Sequence, residues 1–75
     1  MRVLIFGAGG MIGHRMFKTL KQKGHEVYGT LKRDLQAYEG FQIFKKSEMV
    51  PHLDVLDTKY VTETLNQIRP DIILN

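Results

Sequence analysis

Apolar residues fall along this chain in two rhythms. Val3-Leu4-Ile5-Phe6, with Met1 just ahead, is a short unbroken run. A run without alternation suits a parallel strand covered on both faces. Ile12, Met16 and Leu20, with Phe17 beside them, then recur at three- and four-residue steps. That spacing predicts an amphipathic helix beginning near Met11 and stopping at Gly24, which supplies the left-handed residue favoured just past a helix C-terminus. Glu26 to Leu31 reads as a second strand, so residues 1–31 form a strand–helix–strand unit. Crossovers of this kind are right-handed almost without exception and leave their strands parallel.

The middle of the chain carries weaker signals. Arg33 to Tyr38 suits a helical turn, and Phe41 to Phe44 a short strand. Pro51 discourages a central strand at its own position, so the third strand is expected just after it, at His52-Leu53-Asp54-Val55. Asp57 has the character of an N-cap. Val61, Leu65 and Ile68 at i, i+4 and i+7 predict a second helix, closed by Arg69-Pro70. Asp71 to Asn75 opens another strand. The order β-α-β-β-α-β predicts an α/β fold, a Rossmann-like parallel sheet forming the N-terminal half of a doubly wound domain.

With 75 residues and 43% hydrophobic content, the chain makes one globular unit at most. Cysteine is absent, which excludes disulfides and thiolate metal sites and fits a reducing, cytoplasmic setting. The first apolar run is too short for a signal segment or a membrane span. The net charge of +3 is unevenly placed: residues 1–33 hold seven bases against Glu26, and the remainder is acidic. Such asymmetry suggests an anionic partner near the first helix, although Lys18, Lys21 and Lys23 also suit a solvated helix face.

The basic half contains FGAGGMIG, four glycines in eight residues between the first strand and the first helix. Glycine costs roughly 0.5–1 kcal/mol relative to alanine in a regular element, so this density needs a geometric reason. A tight turn and a bound phosphate are the two candidates. The G-x-G-x-x-G fingerprint, started at Gly7, would need glycine where Ile12 stands. The spacing present is Gly7-x-x-Gly10-x-x-Gly13, with Gly9 as an additional small residue. A P-loop is excluded because no Lys-Ser/Thr follows the glycines. The amides around Met11 and Ile12 would open the helix and face an anion.

MRVLIFGAGGMIG, HEVYGT, LDVLD and RPDIILN, at these distances, resemble the N-terminal part of the extended short-chain dehydrogenase/reductase family. Within it, they look most like the dTDP-4-dehydrorhamnose reductase and sugar-nucleotide-binding branch. The resemblance spans nearly the whole chain apart from roughly residues 33–50. It implies that residues 1–75 are the N-terminal part of an NAD(P)-binding Rossmann domain whose substrate-binding half is absent. It further implies that Gly7, Gly10 and Gly13, with the amides of Met11 and Ile12, bind the cofactor pyrophosphate. Asp54 and Val55 match the pair beside the adenine. Asn75 matches the position next to the nicotinamide ribose. The nucleotide-sugar substrate would belong to the longer protein.

An acid at the end of the second strand would bond the ribose 2′-hydroxyl of NAD, whereas a base there suits the 2′-phosphate of NADP. The place is held by Leu31, followed by Lys32 and Arg33, so NADP is expected, with NAD as the alternative. Arg33 is the preferred clamp because its planar fork binds phosphate in bidentate fashion. The family's catalytic Tyr-x-x-x-Lys is missing. Tyr28-x-x-x-Lys32 has that spacing by accident, because residues four apart on a strand are about 13 Å from each other. No catalytic residue is therefore assigned. His52-x-Asp54 is a weak metal signal, and lone Ser47 has no hydrolytic partner near it in sequence. Nucleic-acid binding lacks a recognition motif. The reading is the cofactor-binding portion of an NADP-dependent sugar-nucleotide reductase, with a noncatalytic NAD(P)-binding module or sensor as the alternative. A terminal strand also leaves a sheet edge open to a homo-oligomeric contact.

Overall fold

The computed structural model describes residues 1–41 and 44–75. Its elements are β1 (Arg2–Ile5), α1 (Met11–Gln22), β2 (Glu26–Thr30), 3-10 segments at Leu35–Phe41 and Lys46–Glu48, β3 (Met49–Val50), α2 (Thr58–Ile68) and β4 (Ile72–Leu74). The strands lie in the order β3-β2-β1-β4, every pair parallel, which makes the expected α/β Rossmann-like half-sheet. With β1 central, the chain winds outward through β2 to β3 and then crosses back to β4. That reversal puts α1 and α2 on opposite faces, because both crossovers keep one hand.

Strand alternation sends Val3 and Ile5 toward α1 and Leu4 the other way. Val3, Ile5, Ala8, Phe17, Val27, Leu31 and Met49 form the main core, with Phe17 fully enclosed. Leu4 is fully buried as well, while Leu53 and Thr64 are buried outside that cluster.

Both helices end by the chemistry expected of them. The Gly24 N–H donates to Lys21 O and the His25 N–H to Leu20 O, with Gly24 at φ +90°. This doubly bonded close needs the left-handed residue that glycine supplies. At the other helix, the Asp57 carboxylate accepts from Tyr60 N–H at 3.2 Å, and Arg69 turns the chain at φ +50° ahead of Pro70. The ends of β1 and α2 are joined by Arg2, whose Nη1 donates to Ile68 O at 2.8 Å.

The expected third strand at His52–Val55 is not where β3 lies. Met49 and Val50 pair with Gly29 and Thr30, before Pro51 rather than after it. Pro51 lacks the N–H to continue the ladder, and His52 at φ +56° turns the chain out of strand conformation. Contact with the second strand nevertheless continues, because the Leu53 N–H donates to Leu31 O at 2.9 Å. The helical turn expected from Arg33 becomes the 3-10 segment Leu35–Phe41, opened by Asp34. The short strand expected at Phe41–Phe44 includes Gln42 and Ile43, which lie outside the described residues.

Candidate functional site

Parallel strands put all their carboxyl ends on one edge of the sheet, and in open α/β sheets ligands enter at that edge. Each group of residues singled out above follows one of those ends. Gly7, Gly10, Met11, Ile12 and Gly13 follow β1, and Lys32 and Arg33 follow β2. Asp54 and Val55 come after β3, and Asn75 comes directly after β4.

The glycine loop is held from beneath by β2. Thr30, 2% exposed, accepts from Gly7 N–H through its Oγ1 at 3.0 Å and from Ala8 N–H through its carbonyl at 3.0 Å. The Gly10 N–H donates to Gly7 O. Three loop amides are thus already satisfied within the protein. The Met11 and Ile12 amides, in the first turn of α1, have no intrahelical acceptor, and no side chain caps that end. Gly7 sits at φ +74°, where other residues are strained. A side chain on Gly13 would overlap the Gly7 carbonyl oxygen and stand 3.0 Å from Ala8 Cα, so its absence lets helix and loop touch.

Gly10 has neither reason. Its φ of −76° and ψ of 166° suit any residue, and the nearest atom to the side-chain carbon it lacks is Gly7 O at an ordinary 3.4 Å. Two clefts meet at this residue. One, of about 410 Å³, is lined by Gly7, Gly10, Met11, Ile12, Gly13 and Asn75 among others. The second, of about 500 Å³, lies between the glycines and Lys32, Arg33, Ala37 and Tyr38. Met11 and Ile12 are 76% and 75% exposed at the mouth of α1, so no neighbouring side chain plugs it.

Asp54 and Val55 stand outside both clefts and are exposed. The Asp54 Oδ1 accepts from Leu56 N–H at 2.9 Å, and its carbonyl from Asp57 N–H at 2.9 Å, which shapes the turn into α2. The Arg33 loop is bound to the same region, because His52 N–H donates to Arg33 O at 3.3 Å.

Thr30 and Tyr38 belong to the site but lie outside the motifs that mark it in the sequence. Thr30 had a signal in the adjacent Gly29, whose missing side chain leaves room for Ala8 and Met49 against β2. Tyr38 lies in an irregular segment with no periodic pattern to mark it.

Tyr28 belongs to the opposite end of the sheet. Its hydroxyl donates to Glu26 Oε2 at 2.6 Å, and that carboxylate also accepts from Arg2 Nε at 2.8 Å. The hydrogen bond from Tyr28 is the main cause that holds the Glu26 carboxyl below its ordinary value, with Arg2 assisting. The same bond pushes the Tyr28 hydroxyl up. Lys32 lines a cleft at the carboxyl edge, so it does not pair with Tyr28. Among the described residues there is no group of three His, Cys, Asp or Glu able to hold a metal ion. No helix among them is long and apolar enough to cross a membrane.

Fold and site together define a Rossmann-like α/β unit with a glycine-rich turn at its ligand edge. The family described as RmlD substrate binding domain matches residues 1–75, and the chain belongs to it. The chain is also 31% identical over 75 residues to a 3-diazoavenalumate denitrifying reductase from Streptomyces sp. That alignment covers 100% of this chain and 22% of the relative, so the chain spans about a fifth of the curated protein it matches.

Proposed function

We propose that residues 1–75 are the dinucleotide-binding portion of an NADP-dependent sugar-nucleotide reductase. Its catalytic Tyr-x-x-x-Lys and nucleotide-sugar site would be supplied by polypeptide outside these residues. Gly10 carries the reading. It is a glycine that neither backbone conformation nor protein packing demands, placed where two clefts meet in front of free helix amides. A diphosphate resting there would accept hydrogen bonds from Met11 and Ile12 N–H and gain from the helix dipole, worth about 0.3–1 kcal/mol at an exposed site.

From that central point the two clefts take the two halves of the cofactor. Asn75 borders the cleft suited to the nicotinamide ribose, and Lys32 and Arg33 border the one suited to the adenosine ribose and its 2′-phosphate. Asp54 and Val55, exposed after β3 and outside both clefts, are assigned to the adenine by the family resemblance alone. When bound, the nicotinamide would supply the hydride for reduction of a sugar carbonyl. The part of residues 1–75 in this scheme is to bind and orient the cofactor.

Titration of the full natural polypeptide with NADPH and NADH, followed by calorimetry, tests this reading. NADPH is expected to bind more tightly, and Arg33→Ala to weaken NADPH by about tenfold to a hundredfold while sparing NADH. Gly10→Ala is expected to lower the melting temperature only slightly and to lose affinity for both. Equal affinity, or tighter NADH, overturns the NADP assignment. Failure of both to bind overturns the dinucleotide reading. If binding occurs but the polypeptide carries no Tyr-x-x-x-Lys on a helix, the noncatalytic module replaces the reductase.

A further inference from the structure

Gly9 is explained neither by the turn, nor by the helix–loop contact at Gly13, nor by the diphosphate. A side-chain carbon built on it would overlap Tyr38 Cε1 and lie 2.8 Å from Cζ and 3.0 Å from Cδ1. The tyrosine ring therefore occupies the space a side chain at position 9 would fill. Tyr38 also lines the cleft shared by Gly7, Gly10, Lys32 and Arg33. Its ring makes an edge contact with Phe44, centroids 6.3 Å apart at 73°, and Phe44 meets Phe17 edge-on at 5.1 Å and 88°. Phe17 is fully buried at the centre of the core. A chain of three aromatic rings thus runs from the hydrophobic core to the outer surface of the glycine loop.

The backbone around the ring is built for this placement. Asp34 closes the turn after Arg33 by accepting from Ala37 N–H through both its carbonyl, at 3.2 Å, and its Oδ1, at 3.3 Å. Tyr38 itself interrupts the 3-10 segment at φ −119°, ψ 20°. We infer that Tyr38 is a positioning residue: its ring, wedged against Gly9 and backed by Phe44 and Phe17, sets the height of the glycine loop and so the affinity for the dinucleotide. The inference rests on the dinucleotide reading above and assigns a distinct task. Lys32 and Arg33 select the 2′-phosphate, whereas Tyr38 supports the loop that contacts the diphosphate common to both cofactors.

The test is a double-mutant cycle on the full natural polypeptide, with NADPH and NADH affinities and melting temperatures measured for each variant. Tyr38→Phe keeps the ring and is expected to bind both cofactors more tightly than Tyr38→Ala does. Tyr38→Ala, and Gly9→Ala alone, are each expected to weaken both cofactors by up to about tenfold, the range of an aromatic packing contact, with the NADPH-to-NADH ratio unchanged. Because both changes act on one contact, the double variant is expected to lose no more than either single one. Tyr38→Leu, which keeps apolar bulk but not the flat ring, gives the same loss of affinity and serves if Tyr38→Ala does not fold. A Tyr38→Ala or Tyr38→Leu variant with unaltered affinity and a lowered melting temperature overturns the inference, since that is what a purely core-filling ring produces. Additive losses in the double variant overturn it too. Should the unmodified polypeptide bind neither cofactor, the dinucleotide reading itself fails, and this inference with it.

Discussion

Toward α1, the sheet presents Val3, Ile5, Val27, Leu31 and Met49 to a fully enclosed Phe17, and the loops above are drawn into the same cluster. Toward α2, Leu4 is enclosed and Leu53 and Thr64 are buried, but Val61, Leu65 and Ile68 keep part of their surface in water. On β4, Ile72 and Ile73 remain 39% and 49% exposed, an apolar edge of the kind that invites further pairing. The glycine loop springs from the well-packed side. A loop proposed to hold a diphosphate gains from rigid packing beneath it.

The widest separation between the two faces should come from large-to-small substitutions. Phe17→Ala removes the centre of the α1 core and is expected to cost about 3–5 kcal/mol, enough to unfold a unit this small. Leu65→Ala, on the half-buried stripe of α2, should cost about 1 kcal/mol by loss of partial burial. Urea denaturation of both variants decides the matter. Equal losses would mean that the α2 face is as tightly packed as the other.

Next in size is Gly13→Ala. The added carbon would meet the Gly7 carbonyl and Ala8 Cα, so the helix must move from the loop at a cost of about 1–3 kcal/mol. The same change at Gly10 meets no such overlap and should cost less, about 1 kcal/mol or below, from loss of a favoured N-cap residue. A Gly10→Ala variant that melts as low as Gly13→Ala would remove the ground for reserving position 10 for a ligand.

How far the sequence revealed all this depends on whether local signals carried the answer. The helices were legible because Ile12, Met16 and Leu20, and then Val61, Leu65 and Ile68, repeat at helical spacing between recognisable caps. β1 and β4 were legible as apolar runs. β3 was misplaced because two residues hold too little pattern to register, and the apolar character of Leu53 and Val55 drew the assignment past Pro51. Its position is decided by pairing with Gly29 and Thr30, which is a tertiary fact. At the ligand edge, the glycine spacing disclosed the loop but not the division of labour among its glycines. That division depends on Thr30 and Tyr38, residues 17 or more positions beyond the loop's end at Gly13.

A smaller effect separates the ends of the helices. Asp57 caps α2 through Tyr60 N–H, whereas α1 opens at Gly10 with no capping side chain. Asp57→Ala should cost about 1 kcal/mol, read as a lowered urea midpoint, and leave cofactor affinity in place. A comparable loss of affinity would show that the turn from Asp54 to Asp57 contributes more to the site than its exposure suggests.

The smallest expected effect tests the end of the sheet away from the ligand edge. Glu26 accepts from Tyr28 and Arg2, and its folded pKa lies below the ordinary 4.5. A depressed carboxyl stabilises the fold above its unfolded pKa, and that stabilisation is lost as pH falls through the lower folded value. Tyr28 is raised above 10.0, so its side of the bond is fully present below that value and is lost as pH rises through the folded one. The pair therefore contributes across a broad neutral range and fades at both extremes. Because the Glu26 side chain is 50% exposed, the contribution is small and salt weakens it. Glu26→Gln should lower the melting temperature slightly at neutral pH, with the gap closing below pH 4.5 and in high salt. A gap that widened in acid would mean that the fold favours the protonated Glu26 carboxyl, the reverse of a lowered value.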